Sequence, residues 1–475
     1  MTRTNLKQGI ALIFAANVIN SVFSLLVNFL LPKYLTIDAY AQIKTFLMYS
    51  SYVGILHLGY SDGIYLRYGG KSLSSKNLSE VMTDIQTMRV FQLVVSSAAL
   101  VLSLVLHDWI LVASVLTIMP INMANFYRYL LQATGEFESY SKSMNVTTIL
   151  TSCFILLLLL FKLYTQWFLY VSLYIIAYYI IWGYFEYLIK NKYHIFNSNT
   201  KKTFSVGRLV SNVQSGFFLM LGTFSDIILT GMDRWFVKAT MDNAAFAMYS
   251  FSVSVIGMLN IVVSPIATTL FNYFCINKSE NSIKKADGLI TLFATGIVAV
   301  AFPARFIVEM FLKNYEDSNQ LLTYLFASQM FYIVLKCYHI NLYKAQKRQK
   351  IYFSKLVLVI ICGFFFNTVL YYALKTKEAF AIGTLLCGIV WYAMARQDVD
   401  VNLKNGHCAL QLTLMVLIFV FLGLRCNSIA GLVIYTLCWL AVSFTLLKKE
   451  IIWLNCQLVK LIRGQKWRQQ DGDAN

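Results

Sequence analysis

"LPKYLTIDAYAQIKTFLMYSSYVGILHLGYSDGIYLRY" spans residues 31–68. Its later part, 43–66, is an apolar run long enough to cross a bilayer as a helix, since about 20 residues cover roughly 30 Å of hydrocarbon. Yet the run carries Asp62 about one turn before its polar edge, with Arg67 just behind. A carboxylate facing lipid costs about 3 kcal/mol or more. Asp62 is therefore expected to face protein or water, and the rest of the chain must supply that shelter.

The chain has 475 residues, of which 58% are hydrophobic and 13% charged. Its mean hydropathy is +0.62. A soluble protein of this length needs far more charge to cover its surface. The composition indicates an all-α, polytopic helical membrane protein. The net charge of +18 has two readings. Nucleic-acid binding is disfavoured, because no basic run interleaved with aromatics lies in a soluble-looking segment. Basic cytoplasmic loops account for the charge instead. The nine Cys are scattered singly, with no metal-ligand spacing. No metal or other cofactor is expected, and no catalytic motif appears. "GGKS" (69–72) lacks the earlier glycine and the preceding strand of a phosphate-binding loop.

Apolar runs of membrane-spanning length fall at 9–31, 43–66, 89–106, 109–131, 144–161, 167–188, 209–231, 244–274, 287–307, 319–343, 355–374, 379–395, 409–424 and 428–447. These are fourteen spans, or twelve if the short late runs do not all cross. With the N-terminus inside, 30 of the 40 Lys and Arg fall on the cytoplasmic side. That bias follows the positive-inside rule and puts both termini in the cytoplasm. The first run is too long for a signal-peptide core and is expected to be retained. After Leu447, the residues Ile451, Leu454, Leu458 and Leu461 recur at helical spacing among Lys and Arg. Either a basic amphipathic helix on the inner leaflet or a disordered basic tail fits.

Two internal matches suggest duplication. Ala133 and Tyr140 correspond to Ala345 and Tyr352 at an offset of 212, and Tyr40 to Tyr249 at 209. The expected organisation is a six-helix bundle over 1–190, a linker at 191–208 and a second bundle over 209–395. Two further spans at 396–447 and a basic tail at 448–475 follow. Paired bundles of this kind enclose a central cavity and rock about it.

The 31–68 stretch, with its Pro ending span 1, Tyr40, a late Leu-Gly-Tyr and a closing Arg-Tyr, resembles the polysaccharide flippases of the multidrug/oligosaccharidyl-lipid/polysaccharide (MOP) exporter superfamily. "GMDRWFVKATMDNAAFAMYSF" (231–251) is similar to that family's second signature. The O-antigen repeat-unit flippases of Gram-negative bacteria are the nearest in size and loop layout. The resemblance implies two six-helix bundles around a cavity, usually with twelve spans and sometimes fourteen. It also implies transfer of undecaprenyl-pyrophosphate-linked oligosaccharide across the inner membrane, coupled to H+ or Na+ and in possible contact with polysaccharide polymerase machinery. A cation-coupled drug exporter and a membrane glycan polymerase or ligase are the alternatives. The second is disfavoured by the short outer loops.

Such cargo calls for a wet, cationic groove. Lys44, Ser51, Ile55 and Asp62 fall on one helical stripe, as do Asn17 to Asn28 in span 1 and Ser211 to Asp233 in span 7. Asn125 and Arg128 share a band in span 4, and Gln329, Lys336 and His339 another in span 10. Asn17, Asn28, Asn125 and Gln329 are read as polar cavity lining. Arg67, Arg128, Arg234 and Lys336 are suited to pyrophosphate or acidic sugar. Asp62, Asp226 and His339 are suited to carry the coupling cation. The plainer alternatives are snorkelling anchors for Arg67 and Arg128, a structural histidine, and an interhelix salt bridge at Asp233–Arg234. Pro120 and Pro265 lie inside spans 4 and 8 and are expected to kink them.

Overall fold

A computed structural model describes residues 23–24, 26–71, 78–193, 203–276 and 279–462. The described residues form helices joined by turns and short connections, with no strand among them. The helices are α1 (residues 26–34), α2 (Ile37–Val53), α3 (Tyr60–Tyr68), α4 (Leu78–Val105), α5 (Trp109–Val115), α6 (Ile118–Ala133), α7 (Phe137–Leu160), α8 (Trp167–Tyr193), α9 (Val206–Thr240) and α10 (Asn243–Gly257). There follow α11 (Asn260–Ile276), α12 (Glu280–Ile297), α13 (Ala301–Phe311), α14 (Asn319–Val334), α15 (Ile340–Ala345), α16 (Gln349–Leu374), α17 (Glu378–Gln397), α18 (Gly406–Arg425), α19 (Ser428–Leu446) and α20 (Lys448–Ile462).

Ten of these segments, or twelve if two bent pairs each count as one, are long and apolar enough to cross a membrane. The most apolar stretches of α4 and α19 are only 17% buried within the protein. Apolar helices with so little protein cover belong against lipid. The chain is a multi-pass membrane protein.

Polar side chains start the helices where the sequence supplies them. Thr36, Asp108, Ser205, Asp242, Asn405 and Asn427 each accept a backbone N–H of the following first turn. Pro120 acts as expected of a residue without an N–H, whereas the 45° bend of the span holding Pro265 falls between Gly257 and Asn260, before that proline. Pro120 leaves the Leu116 carbonyl without its i+4 donor, and α5 and α6 are broken there. Pro265 sits inside α11. Helix α9 bends by 47° near residue 226, just after the Ser225 hydroxyl turns back to the Leu221 carbonyl at 2.8 Å.

Compact packing divides the chain after Ile261. Locally the 212-residue match holds. Helices α6 and α15 end at Ala133 and Ala345, Gly135 and Lys347 follow in the left-handed region, and Glu136 and Arg348 each donate to a carbonyl five residues back. The 209-residue pair is out of register. Helices α2 and α10 start 206 residues apart, each behind a capping side chain that accepts the N–H three residues on, so Phe246 takes the place of Tyr40. Lys44 lies 5.2 Å from the Tyr40 ring and Lys238 lies 5.3 Å from that of Phe246.

The unit up to Ile261 buries Tyr60, Ile64, Ile85, Phe126, Tyr127 and Phe185 in one core. Within the unit from Val262 on, Phe302, Phe419 and Tyr435 meet at centroid distances of 5.3–5.8 Å. The segment expected as tail or amphipathic helix is helical over Lys448–Ile462. Glu450 accepts from Asn405 at 2.8 Å, and Lys285 sits 4.0 Å above Trp453.

Candidate functional site

The helix through 43–66 is interrupted. A tight turn covers Gly54–His57, then Leu58 (φ 48°) and Gly59 (φ 86°) adopt left-handed backbone before α3 begins. Two positive φ values reset the helical phase. Lys44 and Ser51 therefore stand on α2 and Asp62 on α3, and the expected stripe has no continuous helix to carry it. It is 2% exposed, and its Oδ2 lies 3.7 Å from His57 Nε2. The Gly59 N–H donates to His57 Nδ1 at 3.0 Å, so Nε2, the atom facing Asp62, carries the ring proton of neutral His57.

Helix α3 lies against α9 at backbone contact. A Cβ added at Gly63 would overlap the Asn212 backbone, and one at Gly216 would overlap Gly59 and Gly63. Asp84, on α4 and fully buried, joins these helices. Tyr68 donates to it at 2.7 Å, Arg208 at 2.9 Å and Asn212 at 3.4 Å. Arg67 stands 3.8 Å from it and donates to Ser211 at 2.9 Å. Arg67 thus meets Asp84 and Ser211, away from the stripe on which Asp62 was placed.

Lys44 is held by neutral groups. It donates to Ser254 at 2.9 Å and to Asn28 at 3.3 Å. Arg234 stands on α9. Its Nε is buried without a hydrogen-bond partner, and no ion pair holds Lys44 or Arg234 among the described residues. Asp233, its neighbour, is taken by Tyr249 at 2.7 Å and by the Arg234 backbone N–H at 2.8 Å. The Asp233–Arg234 pair therefore forms no side-chain salt bridge.

Arg128 donates to Asn125 at 3.4 Å and lies 5.8 Å from the Phe185 ring. In the unit from Val262, Leu335–His339 form a π-turn between α14 and α15. Lys336 donates to Ser264 at 3.2 Å. His339 is 1% exposed, edge-on to Tyr338 and Tyr392, with neither ring nitrogen hydrogen-bonded. Gln329 is half-buried on α14. Asn17 and the side chain of Asp226 lie outside the described residues.

Four groups had no place in the sequence reading. Asp84 was missed because α4 begins at Leu78, eleven residues before the apolar run that marked span 3. His57 gains its role from a turn that hydropathy does not reveal. Glu186 accepts from Tyr127 and Trp182 at 2.8 Å each and pairs with Arg89. Asp287 is fully buried 3.5 Å from Arg396. A carboxylate inside an apolar run was the available signal for Glu186, as it was for Asp62.

The architecture recurs in solved transporters. The fold is theirs. The lipid II flippase MurJ, in an inward closed conformation, superposes with a TM-score of 0.63 at 13% identity, covering 93% of this chain and 100% of that one. A multidrug resistance MATE family transporter of the MOP superfamily, inward-facing, gives 0.53 at 11% identity, over 81% of this chain and 94% of that one. No family model matches the sequence, and neither does any curated protein.

Proposed function

We propose that this protein is a flippase for an anionic lipid-linked oligosaccharide, with undecaprenyl-pyrophosphate-linked repeat units of O-antigen or a related surface polysaccharide as cargo. It carries them from the cytoplasmic to the periplasmic leaflet of a bacterial inner membrane. The observation that carries this reading is the Lys44–Arg234 pair. Lys44, held by neutral groups, and Arg234, whose Nε is buried without a partner, have no carboxylate among the described residues, and such cations are costly in a membrane protein unless an anion visits them. A pyrophosphate supplies that anion. A cationic drug is repelled by the same pair, which disfavours drug export although the fold admits it. The likeness to a lipid II flippase over nearly the whole chain supports a lipid-linked cargo. Lys336 and Arg128 are assigned to the sugar-phosphate path.

His57 and Asp62 are assigned the coupling proton. They are a buried acid–base pair beside the one broken turn of span 2, so a change of charge there bears directly on the helix that must move. Transfer of the chemistry itself is not required of the protein, and no catalytic role is assigned.

The test is rescue. In a strain lacking this gene and any redundant flippase, the wild type restores long-chain surface glycan. Lys44→Gln with Arg234→Gln should restore less than about a hundredth of it at equal membrane abundance, in line with losing two phosphate contacts. Full rescue by the double variant overturns the assignment.

A further inference from the structure

A cleft of about 560 Å³ opens in the unit from Val262, walled by α14, α17 and α18. Phe331, Ile389, Val416 and Leu417 make its apolar length, while Arg396 and Lys404 stand at one end. From Ile389 to Arg396 the cleft follows α17 for about 10 Å, at about 1.5 Å per residue. That is shorter than the roughly 15 Å depth of one hydrocarbon leaflet. Apolar depth and cationic rim are therefore arranged as in a single leaflet.

The rim decides the occupant. The Arg396 charge is already answered. It lies 3.5 Å from Asp287 and donates to Tyr392 at 2.9 Å and to the Asn405 carbonyl at 2.5 Å. Lys404 has no carboxylate of its own among the described residues. Asp398, six positions before it, is occupied by Tyr343 at 2.5 Å and Lys355 at 2.9 Å. One unanswered ammonium at the mouth of an apolar cleft calls for an amphiphile with an anionic head.

We propose that this cleft holds a resident anionic phospholipid, its phosphate on Lys404 and one acyl chain along Phe331, Ile389 and Leu417. Basic pockets between transmembrane helices on the cytoplasmic side take such headgroups, and the loop bearing Lys404 falls on that side by the distribution of Lys and Arg. A chain confined to less than one leaflet matches an acyl tail; a polyprenyl tail is far longer. The site is distinct from the Lys44–Arg234 pair.

Native mass spectrometry of the full chain, released from nanodiscs of equal phosphatidylglycerol and phosphatidylethanolamine, reads the site without any transport assay. The wild type should retain phosphatidylglycerol about fivefold over phosphatidylethanolamine. Lys404→Glu should abolish that preference and Lys404→Arg should keep it. Leu417→Trp, which fills the cleft and leaves the rim intact, should lower retention of both lipids. Equal retention of the two lipids by the wild type overturns the proposal, as does an unchanged preference in Lys404→Glu. Displacement of phosphatidylglycerol by equimolar polyprenyl phosphate overturns it in favour of the cargo's own tail. A flippase that fails its transport test leaves these outcomes unaffected.

Discussion

Asp62 and Asp398 show how differently a carboxylate is kept in this protein. Asp62 is buried against His57, and this is the pair to which we assign the coupling proton. Asp62→Asn should leave the protein membrane-inserted and remove the dependence of transport on a proton gradient, read as transport rate against imposed pH difference in proteoliposomes; an unchanged dependence assigns coupling elsewhere. Asp398 lies beyond the end of α17, outside the spans. Partial burial acts to raise its pKa, but hydrogen bonds from Tyr343 and Lys355 and the charges of Lys355 and Arg348 prevail and hold it below the usual carboxylate range. A lowered folded pKa stabilises the fold above the unfolded value of about 3.9 and loses that contribution as pH falls through the folded one. Thermal unfolding in detergent should therefore show a wild-type stability advantage over Asp398→Asn at pH 7 that shrinks below about pH 4. An advantage that grows on acidification contradicts the assigned direction.

At the scale of elements, the union of α3, α4 and α9 rests on close backbone approach and on Asp84. Gly216→Ala inserts a Cβ into the backbone of Gly59 and Gly63 and should destabilise by about 3 kcal/mol, the upper end of overpacking costs. Asp84→Asn removes the charge that collects Arg208, Arg67 and Tyr68, and breaking a buried pair of this kind costs about 3 kcal/mol. Both are checked by denaturation in mild detergent; a change under about 0.5 kcal/mol at either position removes that contact from the account. The twelve spans from 89–106 onward were legible, counting two bent pairs as one each, because hydropathy reports burial in lipid or protein along tens of residues; the run 9–31 lies mostly outside the described residues, and 43–66 is broken. The interruption at Leu58–Gly59 was not, since it depends on two backbone angles inside an unbroken apolar run. For the same reason the Lys44-to-Asp62 stripe read from spacing lacks a continuous helix, while Asn28 and Lys44, on separate helices, are hydrogen-bonded. The repeat was legible where a turn fixes it, at Ala133 and Ala345, and slipped by three residues where an aromatic match alone carried it.

For the whole molecule, fold and function stand on different ground. Helices whose apolar faces lack protein cover make a membrane protein, and its fold is similar to that of a lipid II flippase and of a multidrug resistance transporter. The proposed cargo is read from charge: Lys44 is held by neutral groups, and an anion would complete its site. The central claim is tested most directly in proteoliposomes holding the purified full chain and an undecaprenyl-pyrophosphate-linked repeat unit. The fraction of that lipid reached by a membrane-impermeant sugar-modifying enzyme is followed in time. The account predicts that the protected inner pool becomes accessible with the wild type, and stays protected with Lys44→Gln/Arg234→Gln. An inner pool that stays protected with the folded wild type, under a proton gradient of either sign, contradicts it.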